Sequence, residues 1–367
     1  MENSNFLYLQ VKRNIIEEIK ELNPNERIES RTDLAKKYNV TRTTIDRSIS
    51  ELIGEGYLYS INGSGTYISE REAQVMDEGN DIQSTNWGII LPNIMHDTYP
   101  GILRGVEDVT SANNINAIIC NSDNDVDKQA NYICKLIDSG IKGLIVIPAI
   151  SENKDITPFN LLEEKKIPFI FCNRGVEGIE APKVMSNNFY GGYIATKHLL
   201  EAGYNNIAYV SRLLYSASTD RYQGYTSALF EAGLNVDEEL LIFEEALSEE
   251  NPGYNSTKIL LSKDKKPDAI FCFNDVIAKG AYDAIVEAGF KVGEGIGLAG
   301  YDDTSICEML EVKLTSVRFK TYETGARAAE LLLSKMNGES IHNNKIIVLQ
   351  PELIIRESSQ KQPISIS

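Results

Sequence analysis

Apolar positions along the chain recur with two different periods. Near the N-terminus, Val11, Ile15, Ile16 and Ile19 fall close to i, i+4, i+8, which predicts a helix from Tyr8 to about Leu22. Asn23-Pro24-Asn25-Glu26 breaks it. Ser30, with Asp33 three residues on, has the character of an N-cap for a second helix, Arg31 to Tyr38. Asn39-Val40 makes a tight turn. Thr41 can cap a third helix, Arg42 to about Glu55, and Gly56 suits its C-terminal stop. Ile45, Ile49 and Leu52 share one face of that helix and are expected to pack on the first. Tyr57–Ile61 and Thr66–Ile68, joined by Asn62-Gly63-Ser64-Gly65, read as a β-hairpin.

The period changes at Trp87. Short apolar runs of buried-strand type now alternate with amphipathic helices. The runs are Gly88–Leu91, Ala117–Cys120, Gly143–Ile147 and Pro168–Phe171, then Ile207–Val210, Ala269–Cys272 and Gly297–Gly300. The helical segments between them are Ile102–Ser111, Val126–Ser139, Gly191–Ala202, Arg221–Ala232, Val276–Ala288 and Tyr322–Met336. Such alternation predicts α/β units with parallel sheets. Two successive sets predict two lobes with a cleft between them. The expected organisation is a helical domain ending in a β-hairpin over 1–69, a polar linker over 70–86, a two-lobed domain over 87–359 and a flexible tail over 360–367.

Composition narrows the function. The 367 residues are 42% hydrophobic and 24% charged, within the globular soluble range. No apolar run approaches the ~18 residues of a membrane span, so no membrane partner is expected. Met1-Glu2-Asn3-Ser4-Asn5 lacks the basic start of a secretory signal. Five scattered cysteines and three separated histidines favour buried thiols in a reducing compartment over disulfides or a metal site. The expectation is a cytoplasmic protein with no metal and no cofactor.

The net charge of -17 argues against non-specific polyanion binding. Any DNA contact must come from a local basic face. Arg31, Lys36, Lys37, Arg42 and Arg47 cluster in the two-helix motif, while Glu17, Glu18 and Glu21 lie on the first helix. Helix, turn, helix presents the second helix to a major groove. Arg42 and Arg47 can fork onto guanine edges or phosphate, and the hydroxyls of Thr41, Thr43 and Thr44 with the helix N-terminus suit phosphate oxygens. The hairpin would be a wing along the backbone. A winged helix can also serve purely as a protein-interaction module, so the motif alone leaves that alternative open.

Residues 7–69 resemble the winged-helix domain of the GntR family. The resemblance rests on Tyr8-Leu9-Gln10-Val11-Lys12, Ile28–Arg31, Leu34-Ala35, Val40–Ile45, Leu52, Glu55–Leu58 and Gly63–Tyr67. It implies that Arg31, Arg42, Thr43, Arg47 and Gly65 touch DNA. From Trp87 to Ser359 the chain resembles the effector domain of the LacI/GalR family, whose fold is that of periplasmic sugar-binding proteins. The carrying stretches include Trp87–Pro92, Ile102–Glu107, Cys120–Asp123, Arg221–Tyr225, Pro267–Phe271, Asn274-Asp275, Gly300–Asp303, Leu314–Val317 and Ile355–Ser359. The pairing resembles AraR-like repressors of sugar catabolism. It implies operator DNA and a small sugar as partners, a homodimer, and L-arabinose or a similar monosaccharide as the releasing effector.

The residues agree with that implication. A sugar needs forked donors and acceptors and an aromatic plate, and ligands of open α/β sheets bind beyond the strands' carboxyl ends. Arg174, Arg221, Asn274 and Asp302 follow strands there, and Asn93, His96, Asp97 and Tyr99 follow the first strand. The resemblance points to Arg221, Asn274 and Asp302 first, then to Arg174, His96, Asp97, Tyr99 and Asp123, with Phe273 as a stacking ring. Asp275 is expected to cap the helix that follows it, and Asp303 to be a turn residue. His96 serves equally as a loop hydrogen-bonder, and Arg174 could instead pair with Asp220 across the cleft. Two features depart from the family pattern. Residues 70–86 lack the minor-groove hinge helix, so coupling is expected through linker order or altered spacing of paired readers. Asp97 stands where proline is usual. A Rossmann-type enzyme is excluded by Leu91-Pro92-Asn93, which is not the G-x-G-x-x-G turn. A transport or sensor sugar-binding protein without a DNA role, and an activator or dual regulator, remain the alternatives.

Overall fold

The computed structural model describes residues 11–12, 14–16, 18–19, 22–54, 56–61, 64–69, 85–150, 156–212, 216–244 and 251–361. Contacts divide the chain into two units, residues 1–83 and 84–367.

In the first unit the described residues among 11–19 are helical (α1), followed by α2 (Arg31–Lys37) and α3 (Arg42–Gly54). Tyr8–Gln10, Glu17, Glu21, Glu55, Asn62 and Gly63 lie outside the described residues. Leu22 lies past the helix, in a bend. Ser30 caps α2 as its position predicts, its hydroxyl accepting from the Asp33 N–H at 3.2 Å. Asn39 takes a left-handed φ of 53° in the turn, and Gly56 takes 78° after α3. Strands β1 (Leu58–Ile61) and β2 (Gly65–Ile68) pair antiparallel, and Arg27 bridges to Tyr67 at their edge. Ile45, Ile49 and Leu52 are fully buried with Val11, Ile15, Leu34 and Leu58. At roughly 1.5–3 kcal/mol per buried aliphatic side chain, this stripe holds α3 on the unit.

The second unit has two lobes. Lobe I carries β3 (Thr85–Leu91), α4 (Thr98–Ala112), β4 (Ile115–Asn121), α5 (Val126–Asp138), β5 (Gly143–Val146), α6 (Thr157–Glu164), β6 (Phe169–Cys172) and β7 (Lys183–Ser186). Lobe II carries α7 (Asn188–Glu201), β8 (Ile207–Arg212), α8 (Ser216–Glu231), β9 (Leu241–Glu244), α9 (Tyr254–Ser262), β10 (Ala269–Cys272), α10 (Asp275–Glu287), β11 (Gly297–Tyr301), α11 (Ile306–Met309) and β12 (Thr315–Arg318). The chain then returns through α12 (Thr321–Met336) and β13 (Ile346–Leu349) to lobe I, and ends with β14 (Glu352–Ile354) in lobe II. Lobe I has the strand order β13-β7-β6-β5-β3-β4 and is parallel throughout. Lobe II has β14-β12-β11-β10-β8-β9, with only β14 antiparallel.

Three expectations change. Thr85 and Asn86, assigned to the linker, open β3, where Asn86 pairs with Asn116 and accepts its side-chain N–H at 3.0 Å. Cross-strand pairing makes these polar residues strand-like. Arg221 does not open its helix but sits in the second turn of α8, which begins at Ser216. The elements β7, β9, β12, β13, β14, α6, α9 and α11 lack a sequence signal, being short or without a clear apolar period. Gly192 and Gly224 allow α7 and α8 to touch. A Cβ on either would meet a carbonyl of the other helix, Arg221 O at 2.2 Å or Phe189 O at 2.1 Å. That contact fixes the height of Arg221 in the cleft.

Candidate functional site

On the reader, Thr43, Asp46, Arg47 and Ser50 lie opposite the buried stripe of α3. Arg42, Thr43 and Arg47 are exposed. The Thr41 and Thr44 hydroxyls share a hydrogen bond at 2.9 Å. Arg31, on α2, reaches Asp46 of α3 at 3.1 Å and so lies over the same helix. Arg47 Nε is 3.8 Å from Glu51 one turn on, a contact worth little in solvent. Gly65, at φ 147°, is where a Cβ would strike Arg27 Nε at 2.5 Å. Arg27 therefore packs over the wing, a cation the sequence reading did not single out. Lys37 leaves the expected basic cluster. Its ammonium lies 2.8 Å from Glu18 and 3.3 Å from Glu29, and those partners raise its pKa.

In the second unit a cavity of about 650 Å³ opens between the lobes. Lobe I contributes His96, Tyr99, Asp123 and Arg174 to its lining, and lobe II contributes Arg221, Phe273, Asn274 and Asp302. These side chains follow β3, β4, β6, β10 and β11 or stand on α4 and α8, and the sheet orders reverse at β3 and β8. This is the crevice that open α/β sheets offer a ligand.

Arg221 organises the floor. It is 6% exposed, donates from Nε to Asn188 Oδ1 at 3.0 Å and from a terminal nitrogen to the Phe273 carbonyl at 2.5 Å. Its other terminal nitrogen is 3.6 Å from Asp302. Its guanidinium carbon lies 3.4 Å from the Tyr301 ring centre and 4.4 Å from that of Phe273. The Phe273 ring expected to stack on a sugar thus also stacks on this arginine. Burial pushes the Asp302 carboxyl up, while Arg221 and then His96 pull it back. Burial likewise raises the Tyr99 phenol. Arg174 donates from Nε to the Pro148 carbonyl at 2.6 Å. Asp123 takes a left-handed φ of 53° and is met by Lys128, which lowers its carboxyl.

Several side chains stand elsewhere than expected. Asp97 is outside the cavity lining: its carboxylate accepts from the N–H and hydroxyl of Ser305, in the other lobe. It thereby ties the two lobes to each other at an exposed contact. Asn274, not Asp275, caps α10, accepting from the Ile277 N–H at 3.0 Å. Asp275 is already helical and turns inward to accept from Thr304 and Ser316. Burial pushes its carboxyl up to about 7. Asp303 is more than a turn residue, with Arg318 at 2.7 Å and Arg356 at 2.8 Å on its carboxylate. Arg212, Asn173, Asn124 and Thr98 also line the cavity and were missed. For Arg212 the signal was present: it ends a strand, as the chosen residues do.

Two family descriptions match the chain. Residues 7–68 match bacterial regulatory proteins of the gntR family, and residues 196–359 match the periplasmic binding protein-like domain. The HTH-type transcriptional repressor PurR of Mannheimia succiniciproducens is 32% identical over 261 residues, 71% of this chain and 77% of that protein. The chain belongs to the helix-turn-helix transcriptional repressors. Within them, the arabinose metabolism transcriptional repressor of Halalkalibacterium halodurans is 29% identical over 97% of this chain and 96% of its own. The solved LacI family transcriptional regulator from Enterococcus faecium with bound ribose is 28% identical, with a TM-score of 0.65 over 76% of this chain and all of that one. This repressor therefore joins a GntR-type DNA-binding domain to a periplasmic-binding-protein-like effector domain, and acts as a regulator, not an enzyme. No helix among the described residues is long and apolar enough to cross a membrane. No cluster of metal-ligating side chains occurs among them.

Proposed function

We propose that this repressor works in the cytoplasm as a homodimer that leaves its operator when a small sugar fills the cleft. The observation that carries the reading is the lobe-bridging cavity, in which buried Arg221 is held ready by Asn188, Asp302 and two aromatic rings. Such forked, preorganised donors beside ring faces suit a polyol. Arg221, Asn274 and Asp302 read hydroxyls from lobe II, and Arg174, His96, Tyr99 and Asp123 from lobe I. Phe273 presents a ring face. On the reader, Arg42 and Arg47 contact base edges or phosphate, and Arg31, Thr41, Thr43, Thr44 and the wing at Gly65 hold the backbone. Two readers engage the half-sites of a near-palindromic operator.

Sugar and operator binding are coupled, so each must weaken the other by the same factor. L-Arabinose is the first candidate, since a relative spanning nearly the whole chain is named for arabinose metabolism. The test is fluorescence anisotropy of the full-length repressor on operator DNA, titrated with a panel of monosaccharides. Release by a sugar, with a matching loss of sugar affinity in the presence of DNA, is the expected result. Equal sugar affinity with and without operator overturns the coupling.

A further inference from the structure

We infer that Asp275 is a positioning residue for effector binding: it holds the loop Asp302–Ser305 in the form that presents Asp302 to the ligand. This rests on the reading of Asp302 as an effector contact and adds the residue through which that contact is set. Asp275 is outside the cavity lining and fully buried, so it acts through the loop and not on the ligand. Its Oδ2 accepts from the Thr304 N–H at 2.7 Å and from the Thr304 hydroxyl at 3.1 Å, and its Oδ1 accepts from the Ser316 hydroxyl at 2.6 Å. The Ser316 oxygen in turn accepts from the Asp303 N–H at 3.0 Å. One carboxylate thus fixes two successive amides of the loop, one directly and one through a hydroxyl.

The loop needs such anchors. Asp302 has a φ of 101° and Asp303 of 51°, two consecutive non-glycine residues in the left-handed region, a conformation that persists only where the surroundings impose it. Four consecutive N–H groups each find a different acceptor. Asp302 donates to the Val317 carbonyl at 2.8 Å, Asp303 to Ser316, Thr304 to Asp275, and Ser305 to Asp97 of lobe I at 3.2 Å. At one end of this run the Asp302 carboxylate stands 3.6 Å from Arg221 in the cavity, and at the other the loop meets the opposite lobe. Strand β11 leaves room for the anchor, since a Cβ on Gly300 would strike Asp275 Oδ1.

The chemistry explains why this buried position holds a carboxylate. Burying a charged group is costly, so an apolar residue there would pack more cheaply. Only a carboxylate accepts on both oxygens at once, and charge strengthens each bond it accepts. An amide has a single accepting oxygen, so Asp275→Asn leaves either Thr304 or the Ser316 hydroxyl without its acceptor. The loop then relaxes towards ordinary φ values, and Asp302 turns from the place in which it faces both Arg221 and the ligand.

The test uses Asp275→Asn and the milder Ser316→Ala in the full-length repressor, with L-arabinose as the probe. Amide hydrogen exchange of the ligand-free proteins is read first. Exchange at residues 302–305 should speed up, by about tenfold or more in Asp275→Asn, while β10, β11 and α10 keep their protection. Unchanged exchange at 302–305 overturns the anchoring. Faster exchange spread equally over β10, β11 and α10 shows general support of the lobe and overturns the positioning role. Should Asp275→Asn fail to fold, Ser316→Ala decides by the same measure. Calorimetry should then show L-arabinose binding weakened about tenfold in Asp275→Asn, and saturating sugar should restore protection at 302–305. Full affinity despite a loosened loop removes Asp275 from effector binding. If L-arabinose does not bind the unsubstituted repressor, the reading of that sugar as effector fails, while the exchange measurement still decides the anchoring.

Discussion

On the reader, Arg42 and Arg47 stand exposed along α3, while in the cleft Arg221 is 6% exposed and held by partners before any ligand arrives. In the proposed function the same side chain serves in opposite ways. DNA offers a long surface of charge, and a mobile exposed cation can settle on it at small cost. A small effector offers only a few closely spaced groups, so its arginine must be ordered in advance. The protein core reflects this division. The reader buries one small cluster around Ile45, Ile49 and Leu52, whereas the lobes bury Trp87, Tyr209, Tyr301 and Phe271 across a continuous interior.

Substitutions should separate the two designs. The largest effect is expected from Arg221→Ala, which leaves Asp302 buried without its guanidinium and empties the space over Phe273 and Tyr301. It should cost the effector domain about 3–5 kcal/mol and abolish effector-induced release, with operator still bound by the folded fraction. Calorimetric melting checks this, and an unchanged transition would show that the buried pair carries no weight. Arg47→Ala should weaken specific operator binding by about 1–3 kcal/mol and leave effector affinity alone. A footprint titration that gives the same midpoint for both proteins would remove Arg47 from the contact. Asp97→Ala removes the tie to Ser305. With both groups solvent-exposed the effect should be about 1 kcal/mol, read as a several-fold change in apparent effector affinity. The opposite response, no change in effector affinity with a loss of operator binding, would move Asp97 out of the cleft's working parts. The smallest effect belongs to Ser30→Ala, which deletes the α2 cap and should cost the reader about 0.5–1 kcal/mol without shifting effector binding.

Much of this is legible in the sequence. The α3 stripe follows from helical spacing, and the Ser30 cap follows from its side-chain chemistry. The lining residues Arg174, Asn274 and Asp302 follow from one rule, that strand ends face the crevice, and Phe273 came from the family resemblance. Applied evenly, that rule also reaches Arg212. Other features were not legible. Asn274 and Asp275 are adjacent and equally able to cap, and only the backbone angle at which α10 begins assigns the cap to Asn274. Lys37 looks basic in sequence, yet Glu18 and Glu29 engage it from other elements. Asn188 carries no signal at all, since its function is to hold Arg221 from a separate helix.

Local chemistry and periodicity, which act over a few residues, were sufficient to set the longer elements and the change of pattern at Trp87, and the family resemblance ranked the candidate side chains. Which of those side chains converge and which are engaged by distant partners were decided by the tertiary structure. Burial and Coulomb energy depend on distances between residues far apart in the chain, and no linear pattern records them.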